Sequence, residues 1–110
     1  MKQGEIWNAN LDPTRGSEQA GFRPVLVVSG NLLNTHAPVV IVCPLTSKLK
    51  RYKGNPILFP DTTNNLSSES EVMTYHIRSI AKERLVNKIG DVKPETVSMI
   101  VQTLNDILNY

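Results

Sequence analysis

The fold of this chain is decided by Pro24-Val25-Leu26-Val27-Val28-Ser29, a short apolar run dominated by β-branched side chains. Such a run, bounded by turn-forming residues, is typical of a strand that is buried on both faces or nearly so. Residues 39–45 (VVIVCPL) repeat the pattern. The proline near the end of this second run has no N–H to donate, so it predicts a sheet edge or a bulge there.

Further short strands are predicted on both sides of these two. Glu5–Asn10 alternates weakly between apolar and polar residues, and residues 57–59, 72–80 and 85–89 are three more candidate strands. Turn-forming residues are concentrated over residues 12–21 and 60–68, which predicts loops. Many short strands separated by turns favour a small barrel or a sandwich.

The hydrophobic period changes near the end of the chain and becomes helical. The apolar residues of one helix face are Val97, Ile100, Val101, Leu104, Ile107 and Leu108. Pro94 suits the first position of this helix, and Glu95 suits the positive end of its dipole. We expect the stripe to pack against the sheet, so the prediction is an α+β fold, a small β-barrel with a C-terminal helix.

Length and composition limit the class of protein. A chain of 110 residues predicts a single domain over residues 1–110, and 40% hydrophobic with 20% charged residues excludes a mainly disordered chain. One cysteine, Cys43, excludes an internal disulfide framework. The longest apolar run is broken by two prolines and the first residues are polar, so neither a membrane span nor a signal peptide is expected. These features predict a reduced, cytoplasmic protein.

The positive charge is unevenly distributed. The last twenty residues carry three acids and one base, so the other 90 carry 11 basic and 7 acidic side chains. Four of these bases, Lys48, Lys50, Arg51 and Lys53, lie within six residues. A run of this kind is either a solvated loop or an electrostatic footprint for a polyanion, and both interpretations stay open at this point.

Few residues are candidates for chemistry. His36 and His76 have no second ligand at metal-binding spacing, and Cys43 lies in an apolar strand, where an inert thiol is expected. Two polar segments border the central strands. Residues 12–23 form a polar loop that ends at Arg23, and Thr46 with Ser47 follows the second strand. Loops on rigid strands often carry function, although an exposed loop and a simple turn cap explain the same residues.

Three sequence motifs follow one another along the chain. The first motif reads Gly4-Glu5-Ile6-Trp7, then Leu11-Asp12-Pro13-Thr14-Arg15-Gly16-Ser17-Glu18-Gln19, then Gly21-Phe22-Arg23 into the central strand. The second is Pro44-Leu45-Thr46-Ser47, and the third is Ser70 followed by Ile77-Arg78-Ser79-Ile80-Ala81-Lys82-Glu83-Arg84-Leu85. Through the first motif, supported by the order and spacing of the two shorter ones, the whole chain resembles the MazF/PemK family of toxin endoribonucleases.

The resemblance implies a homodimer with an SH3-like barrel, the fold of plasmid toxins, and no cofactor or metal. It implies cleavage of single-stranded RNA at short sequences, leaving a 2′,3′-cyclic phosphate and a 5′-hydroxyl, which inhibits translation and growth. A cognate MazE-like antitoxin is implied as partner. By position, the catalytic arginine falls on Arg23 and the catalytic threonine on Thr46. The residues expected to contact RNA are Ser17, Glu18, Gln19, Ser47, Lys48, Lys50, Arg51, Tyr52, His76 and Arg78.

The chemistry of these residues fits their implied roles in part. A guanidinium at Arg23 suits a phosphorane, because its fork of donors matches phosphate oxygens, but its pKa is too high for a general base. Thr46 can donate to a non-bridging oxygen and orient the phosphate. The general base that takes the proton of the 2′-hydroxyl is either Glu18 or His76. Alternatively, His76 reads or stacks on a nucleobase. Some PemK-type members have a histidine where this chain has Ser17 and an aspartate where it has Tyr75, which favours the simpler arginine–threonine arrangement.

Two other functions compete with RNA cleavage. A CcdB-type toxin of the same fold poisons DNA gyrase without enzymatic activity, but it does not need the pair formed by Arg23 and Thr46. A catalytically inactive relative that only binds is the second alternative, because a fold and a motif do not guarantee turnover.

Overall fold

The computed structural model describes residues 1–11 and 21–109, which form a curled antiparallel sheet followed by a helix. Its strands are β1 (Glu5–Asn10), β2 (Phe22–Val27), β3 (Val39–Thr46), β4 (Ile57–Leu58), β5 (Ser70–Val72), β6 (Arg78–Ala81) and β7 (Leu85–Asp91), and its helices are α1 (Asn31–His36) and α2 (Pro94–Asn109). The strand order is β4-β5-β3-β2-β1-β7, with β6 also paired to β3. The predicted α+β fold, a small curled barrel with a C-terminal helix, is confirmed.

The central strand β3 changes partner along its length. Residues 39–42 pair with β6, whereas Leu45 and Thr46 pair with β5. Pro44 lies at the changeover, and its carbonyl accepts a hydrogen bond from the N–H of Met73 at 2.8 Å. Because proline has no N–H to leave unpaired, it suits a point where one neighbouring strand ends and another begins.

The core occupies both faces of the sheet. One cluster contains Ile6, Leu26, Val28, Cys43, Leu45, Leu58, Val72 and Ile100, and the other contains Ala9, Val25, Val27, Val40, Val42, Ile80 and Leu85. Successive residues of β2 enter alternate clusters, as the two-residue repeat of a strand requires. The prediction that the run beginning at residue 24 is buried on both faces is therefore confirmed.

Helix α2 begins at Pro94 as predicted, but only part of its apolar stripe is packed. Val97 and Ile100 are buried and Leu104 contacts the core, whereas Val101, Ile107 and Leu108 are 48%, 43% and 81% exposed. The expectation that these last three pack against the sheet is wrong. The packed residues end at Leu104, whereas the helix continues to Asn109, so its last turn extends beyond the core.

Two further elements differ from the sequence prediction. Residues 72–80 are not one strand, because β5 ends at Val72 and a 3₁₀ turn over Thr74–His76 carries the chain along β3 to β6. Helix α1 lies between β2 and β3, where the sequence predicted no element. Its leucines are exposed and only Asn34 is buried, so it has no apolar face for a periodicity argument to detect. Neither helix of the described ranges is long and apolar enough to cross a membrane.

Candidate active site

Arg23 and Thr46 lie beside the same end of the β2–β3 ladder. The last paired residues of this ladder are Val25 and Pro44, so Arg23 lies two residues before that end on β2 and Thr46 lies two residues after it on β3. Arg23 is paired with Ala9 of β1, and Thr46 is paired with Glu71 of β5. Two residues that are 23 positions apart in the sequence are thereby brought to the same end of the sheet.

Both residues line an open cleft of about 400 Å³. Its walls are Phe22, Arg23, Pro24, Leu45, Thr46, Ser47, Lys48, Leu66, Ser67, Ser68 and Ser70. Among the described residues this lining contains two cations, five hydroxyl groups and no acid. Such a lining favours a phosphate, which needs positive charge and several hydrogen-bond donors. Ser70 begins the third motif of the resemblance, whereas Ser67 and Ser68 were predicted only as part of a polar loop.

Arg23 and Thr46 keep free donors in the cleft, whereas the hydroxyl of Ser70 donates to the carbonyl of Ser68 at 3.1 Å. Arg23 is exposed, and its guanidinium makes no hydrogen bond or ion pair within the described part of the chain. Thr46 is half-buried, and its Oγ1 accepts the N–H of Lys48 at 3.1 Å. Because one lone pair of Oγ1 is engaged by Lys48, the hydroxyl proton is left to donate into the cleft.

The other predicted RNA contacts do not line this cleft. Lys50, Arg51 and Tyr52 lie further along the loop after β3, and all three are exposed. His76 is exposed in the 3₁₀ turn, and Arg78 is exposed at the start of β6. Ser17, Glu18 and Gln19 lie outside the described residues. The structure thus brings together Arg23, Thr46, Ser47 and Lys48, and it places the remaining described candidates elsewhere.

Glu71 was missed by sequence analysis, although it organises the loop after β3. It lies at the centre of β5, fully buried, and pairs across the strands with Thr46 on one side and Ile57 on the other. Its carboxylate accepts hydrogen bonds from the backbone of residues 50–52 and from the side chain of Asn55. The only signal in the sequence is an acid inside an otherwise strand-like segment, and nothing local identifies its partners.

Tyr52 is stacked on a ring of its own chain. Its ring centroid lies 6.4 Å from that of Tyr75, with 13° between the planes, and the two side chains are 52% and 55% exposed. The hydroxyl of Tyr75 donates to the carbonyl of Lys53 at 3.0 Å, which ties the second ring to the same loop. The pair forms an exposed aromatic step.

Cys43 is buried in the core, as predicted, and burial raises the pKa of its thiol to about 12. His36 is exposed at the end of α1. Within residues 1–11 and 21–109 no three His, Cys, Asp or Glu side chains come together in a group that could hold a metal ion.

Comparison with known proteins gives consistent results. Residues 2–108 match the family described as PemK-like, MazF-like toxin of type II toxin–antitoxin system. Endoribonuclease MazF9 of Mycobacterium tuberculosis is 37% identical in an alignment of 109 positions that covers 94% of this chain and 92% of that protein. Endoribonuclease EndoA of Bacillus subtilis is 31% identical in an alignment of 105 positions that covers 94% of this chain and 90% of that protein.

Solved structures share the fold. The Mycobacterium tuberculosis toxin MazF-mt6 superposes with a TM-score of 0.77 at 21% identity, covering 96% of both chains. A MazE–MazF crystal structure from Deinococcus radiodurans gives a TM-score of 0.79 at 25% identity, covering 98% of this chain and 95% of the matched one.

Proposed function

The chain belongs to the PemK-like, MazF-like family of type II toxin–antitoxin toxins, and from this premise we propose that it cleaves single-stranded RNA, mRNA included, without a metal cofactor. The observation that supports the proposal most directly is the cleft, where Arg23 and Thr46 lie together among hydroxyl groups and a lysine. The relatives named endoribonucleases cover nearly the whole chain, which supports the same activity.

The proposed reaction is a transesterification within the RNA. The 2′-oxygen attacks the adjacent phosphorus, the bond from phosphorus to the 5′-oxygen breaks, and the products are a 2′,3′-cyclic phosphate and a 5′-hydroxyl. The proton of the 2′-hydroxyl goes to a base, and the leaving 5′-oxygen takes up a proton. Between these two transfers the phosphorane carries extra negative charge on its non-bridging oxygens.

Arg23 and Thr46 act on that charge. The guanidinium of Arg23 has no partner in the described part of the chain, so its donors are available to the phosphorane oxygens. A pre-organised donor aimed at developing charge contributes about 10²–10³ in rate. The hydroxyl of Thr46 donates to a second non-bridging oxygen, and Lys48 and Ser47 hold the phosphate in the cleft.

The proton transfers need another group. Arg23 is excluded as the base, because a guanidinium is always protonated in proteins and has no acceptor for a proton. Glu18 is our candidate for the base. We assign His76 to contact with an RNA base rather than to proton transfer, since it does not line the cleft that holds Arg23 and Thr46.

We also propose the assembly in which the protein works. A homodimer bound by a MazE-like antitoxin is supported by the family match and by the likeness to a chain solved as a MazE–MazF complex. Because the proposed substrate is mRNA, the proposed place of action is the cytoplasm. The antitoxin would neutralise the toxin by occupying the RNA groove.

The proposal is tested with a long unstructured RNA incubated with the purified protein in EDTA, beside an Arg23→Ala variant, followed by mapping of the RNA ends. Cleavage at a repeated short motif with 5′-hydroxyl ends, abolished in the variant, is the expected result. No cleavage by a folded protein overturns the proposal, and inhibition of DNA gyrase supercoiling would then be measured.

A further inference from the structure

The carboxylate of Glu71 is fully buried and has every oxygen engaged. Oε1 accepts the backbone N–H groups of Lys50 at 2.6 Å and Arg51 at 2.7 Å. Oε2 accepts the N–H of Tyr52 at 3.1 Å and the side-chain amide of Asn55 at 2.8 Å. A buried carboxylate is tolerated only when it is hydrogen-bonded in this way.

Three successive backbone N–H groups that converge on one anion form a nest, the arrangement with which many loops bind phosphate. In this protein the nest is filled from inside by Glu71. Burial raises the pKa of the carboxyl, but the bonds from Asn55 and from the loop backbone outweigh burial and hold the pKa below its ordinary value. The anion is therefore permanently present at neutral pH, and the backbone N–H groups of residues 50–52 are not available to an RNA phosphate.

The loop, residues 47–56, is fixed at other points as well. Arg51 has a φ of +57°, which residues other than glycine rarely adopt. Gly54 has a φ of +94°, and a Cβ at this position would lie 2.9 Å from a methyl group of Thr103 in α2. The side-chain oxygen of Asn55 accepts the N–H of Thr74 at 3.1 Å, so the same amide joins the loop to the 3₁₀ turn.

The position of Glu71 connects this loop to the cleft. In the sheet, Glu71 lies directly opposite Thr46, where the loop leaves β3, and directly opposite Ile57, where the loop enters β4. Glu71 thus lies between the two ends of the loop, and its carboxylate bonds to the backbone of residues 50–52 in the middle of the loop. Thr46, Ser47 and Lys48 at the first end line the cleft, and the stacked rings of Tyr52 and Tyr75 lie further along.

We propose that Glu71 is a positioning residue for RNA binding, which presets the loop so that the exposed cations Lys50 and Arg51 and the Tyr52–Tyr75 step meet an RNA strand leaving the cleft. The cations contact backbone phosphates, and the aromatic step stacks on one unpaired base. This role rests on the proposed function, because it makes the loop cations and the Tyr52–Tyr75 pair a second part of the surface that binds the same RNA.

A preset loop changes binding more than chemistry. Without Glu71 the loop must be ordered each time RNA binds, and that cost appears in the affinity. Arg23 is held by strand pairing with Ala9 of β1 and Thr46 by strand pairing with β5, and neither pairing uses the Glu71 carboxylate, so we expect the rate of the chemical step to change little with loop order. The role of Glu71 therefore predicts a change in KM with little change in kcat.

The test compares Glu71→Gln with Glu69→Gln. Both variants remove one negative charge, but Glu69 is exposed and has no role in the loop. With a cleavable RNA in EDTA, Glu71→Gln is expected to raise KM about tenfold and to leave kcat within about twofold. Glu69→Gln is expected to leave both unchanged or to lower KM slightly, because the protein becomes more positive.

The second readout is the affinity for a 2′-O-methyl oligouridylate over a range of salt concentrations. This probe has no 2′-hydroxyl to react, so it measures binding whether or not the protein is an enzyme. For a single strand, the slope of log affinity against log salt falls by about 0.7 for each phosphate that the protein no longer neutralises. Glu71→Gln is expected to lower the slope by the equivalent of about one to two phosphates, and Glu69→Gln is expected not to change it.

Asn55→Ala is a second, milder variant that keeps the test possible if Glu71→Gln does not fold. It removes the hydrogen bond from the Asn55 side chain to Glu71 and the bond that this side chain accepts from the N–H of Thr74, and it is expected to raise KM about threefold. Unchanged KM and salt slope in both folded variants overturn the role of Glu71. A wild-type protein that binds the oligouridylate but cuts no RNA overturns the proposed function and leaves the binding test of Glu71 intact.

Discussion

The cleft and the loop after β3 are neighbours that treat polar groups in opposite ways. In the cleft, the guanidinium of Arg23 has no partner within the described residues and Thr46 keeps its hydroxyl proton free. In the loop, both oxygens of Glu71 are filled by four donors. Side chains proposed to bind a transient charge keep free hydrogen-bond donors. The side chain that holds the loop has both of its oxygens engaged in hydrogen bonds. Substitutions in the two regions are therefore expected to affect different quantities.

The largest effect is expected from Arg23→Ala. The RNA cleavage rate should fall by about 10²–10³, because the variant lacks the charged donor for the phosphorane. Thermal unfolding should be unchanged, since the side chain of Arg23 is exposed and makes no bond that supports the described fold. Single-turnover cleavage in EDTA measures the rate, and Lys93→Ala, a cation that does not line the cleft, is the control. A large drop in the thermal stability of Arg23→Ala would contradict the difference that we describe between the cleft and the loop.

Glu71→Gln should show the opposite pattern, with a loss of stability of about 1–3 kcal/mol, because an amide cannot accept all four donors and leaves a buried one unpaired. Chemical denaturation of the variant and the wild type measures this difference. Glu69→Gln should change the stability by less than about 0.5 kcal/mol, because it is exposed. Equal effects of the two substitutions would contradict the role assigned to the buried carboxylate.

The same variant should change how stability depends on pH. The folded pKa of Glu71 is below its ordinary value of 4.5, so its contribution is complete above that pH and is lost as the pH falls through the folded pKa. The wild type should lose this stability in acid, and Glu71→Gln should show a shallower acid dependence. Glu5 contributes some acid dependence in both proteins. Burial raises the pKa of its carboxyl, but hydrogen bonds from Trp7 and Lys2 and the Lys88 ammonium outweigh burial, so the pKa is lowered overall. Parallel acid titrations of unfolding would contradict the prediction.

Thr46→Val is expected to have a smaller effect than Arg23→Ala on cleavage. It preserves shape and removes a neutral donor, and neutral hydrogen bonds have about half the strength of charge-assisted ones, so a loss of about tenfold in kcat is expected. The stability should change little, because the only bond of Oγ1 in the described structure is to the exposed N–H of Lys48. Thr46→Ser serves as the matched control and should retain most of the rate.

His76→Gln should have the smallest effect. We expect a cleavage rate within about twofold of the wild type and an unchanged pH profile, because His76 does not line the cleft. A change in the preferred RNA sequence is the expected signature of a base contact, and mapping of cleavage sites measures it. A shifted pH profile would place His76 in proton transfer and overturn our assignment.

The difference between the two regions also explains what could be predicted from the sequence. The strands β2 and β3 are predictable because β-branched apolar runs report burial directly, and the start of α2 is predictable from Pro94. Arg23 and Thr46 were identified through the resemblance of their motifs, and the structure then places both in one cleft. Their catalytic roles stay a prediction.

The loop and its acid were not predictable for a physical reason. Glu71 bonds to backbone groups 19 to 21 residues away, and backbone groups carry no sequence signal. The 3₁₀ turn after β5 was read as strand because local preference does not report where β3 changes partner. The exposed end of α2 was misread because amphipathic spacing gives the direction of a face but not the extent of the core beneath it.

The burial of Cys43 has a practical consequence for measuring motion in this protein. The chain has one thiol, it lies in β3 at the centre of the core, and its pKa of about 12 leaves a thiolate fraction of only about 10⁻⁵ near neutral pH. Because only a thiolate reacts readily, alkylating reagents can modify Cys43 only when the sheet opens. The rate of labelling therefore reports the opening of the strand that carries Thr46, without any introduced probe.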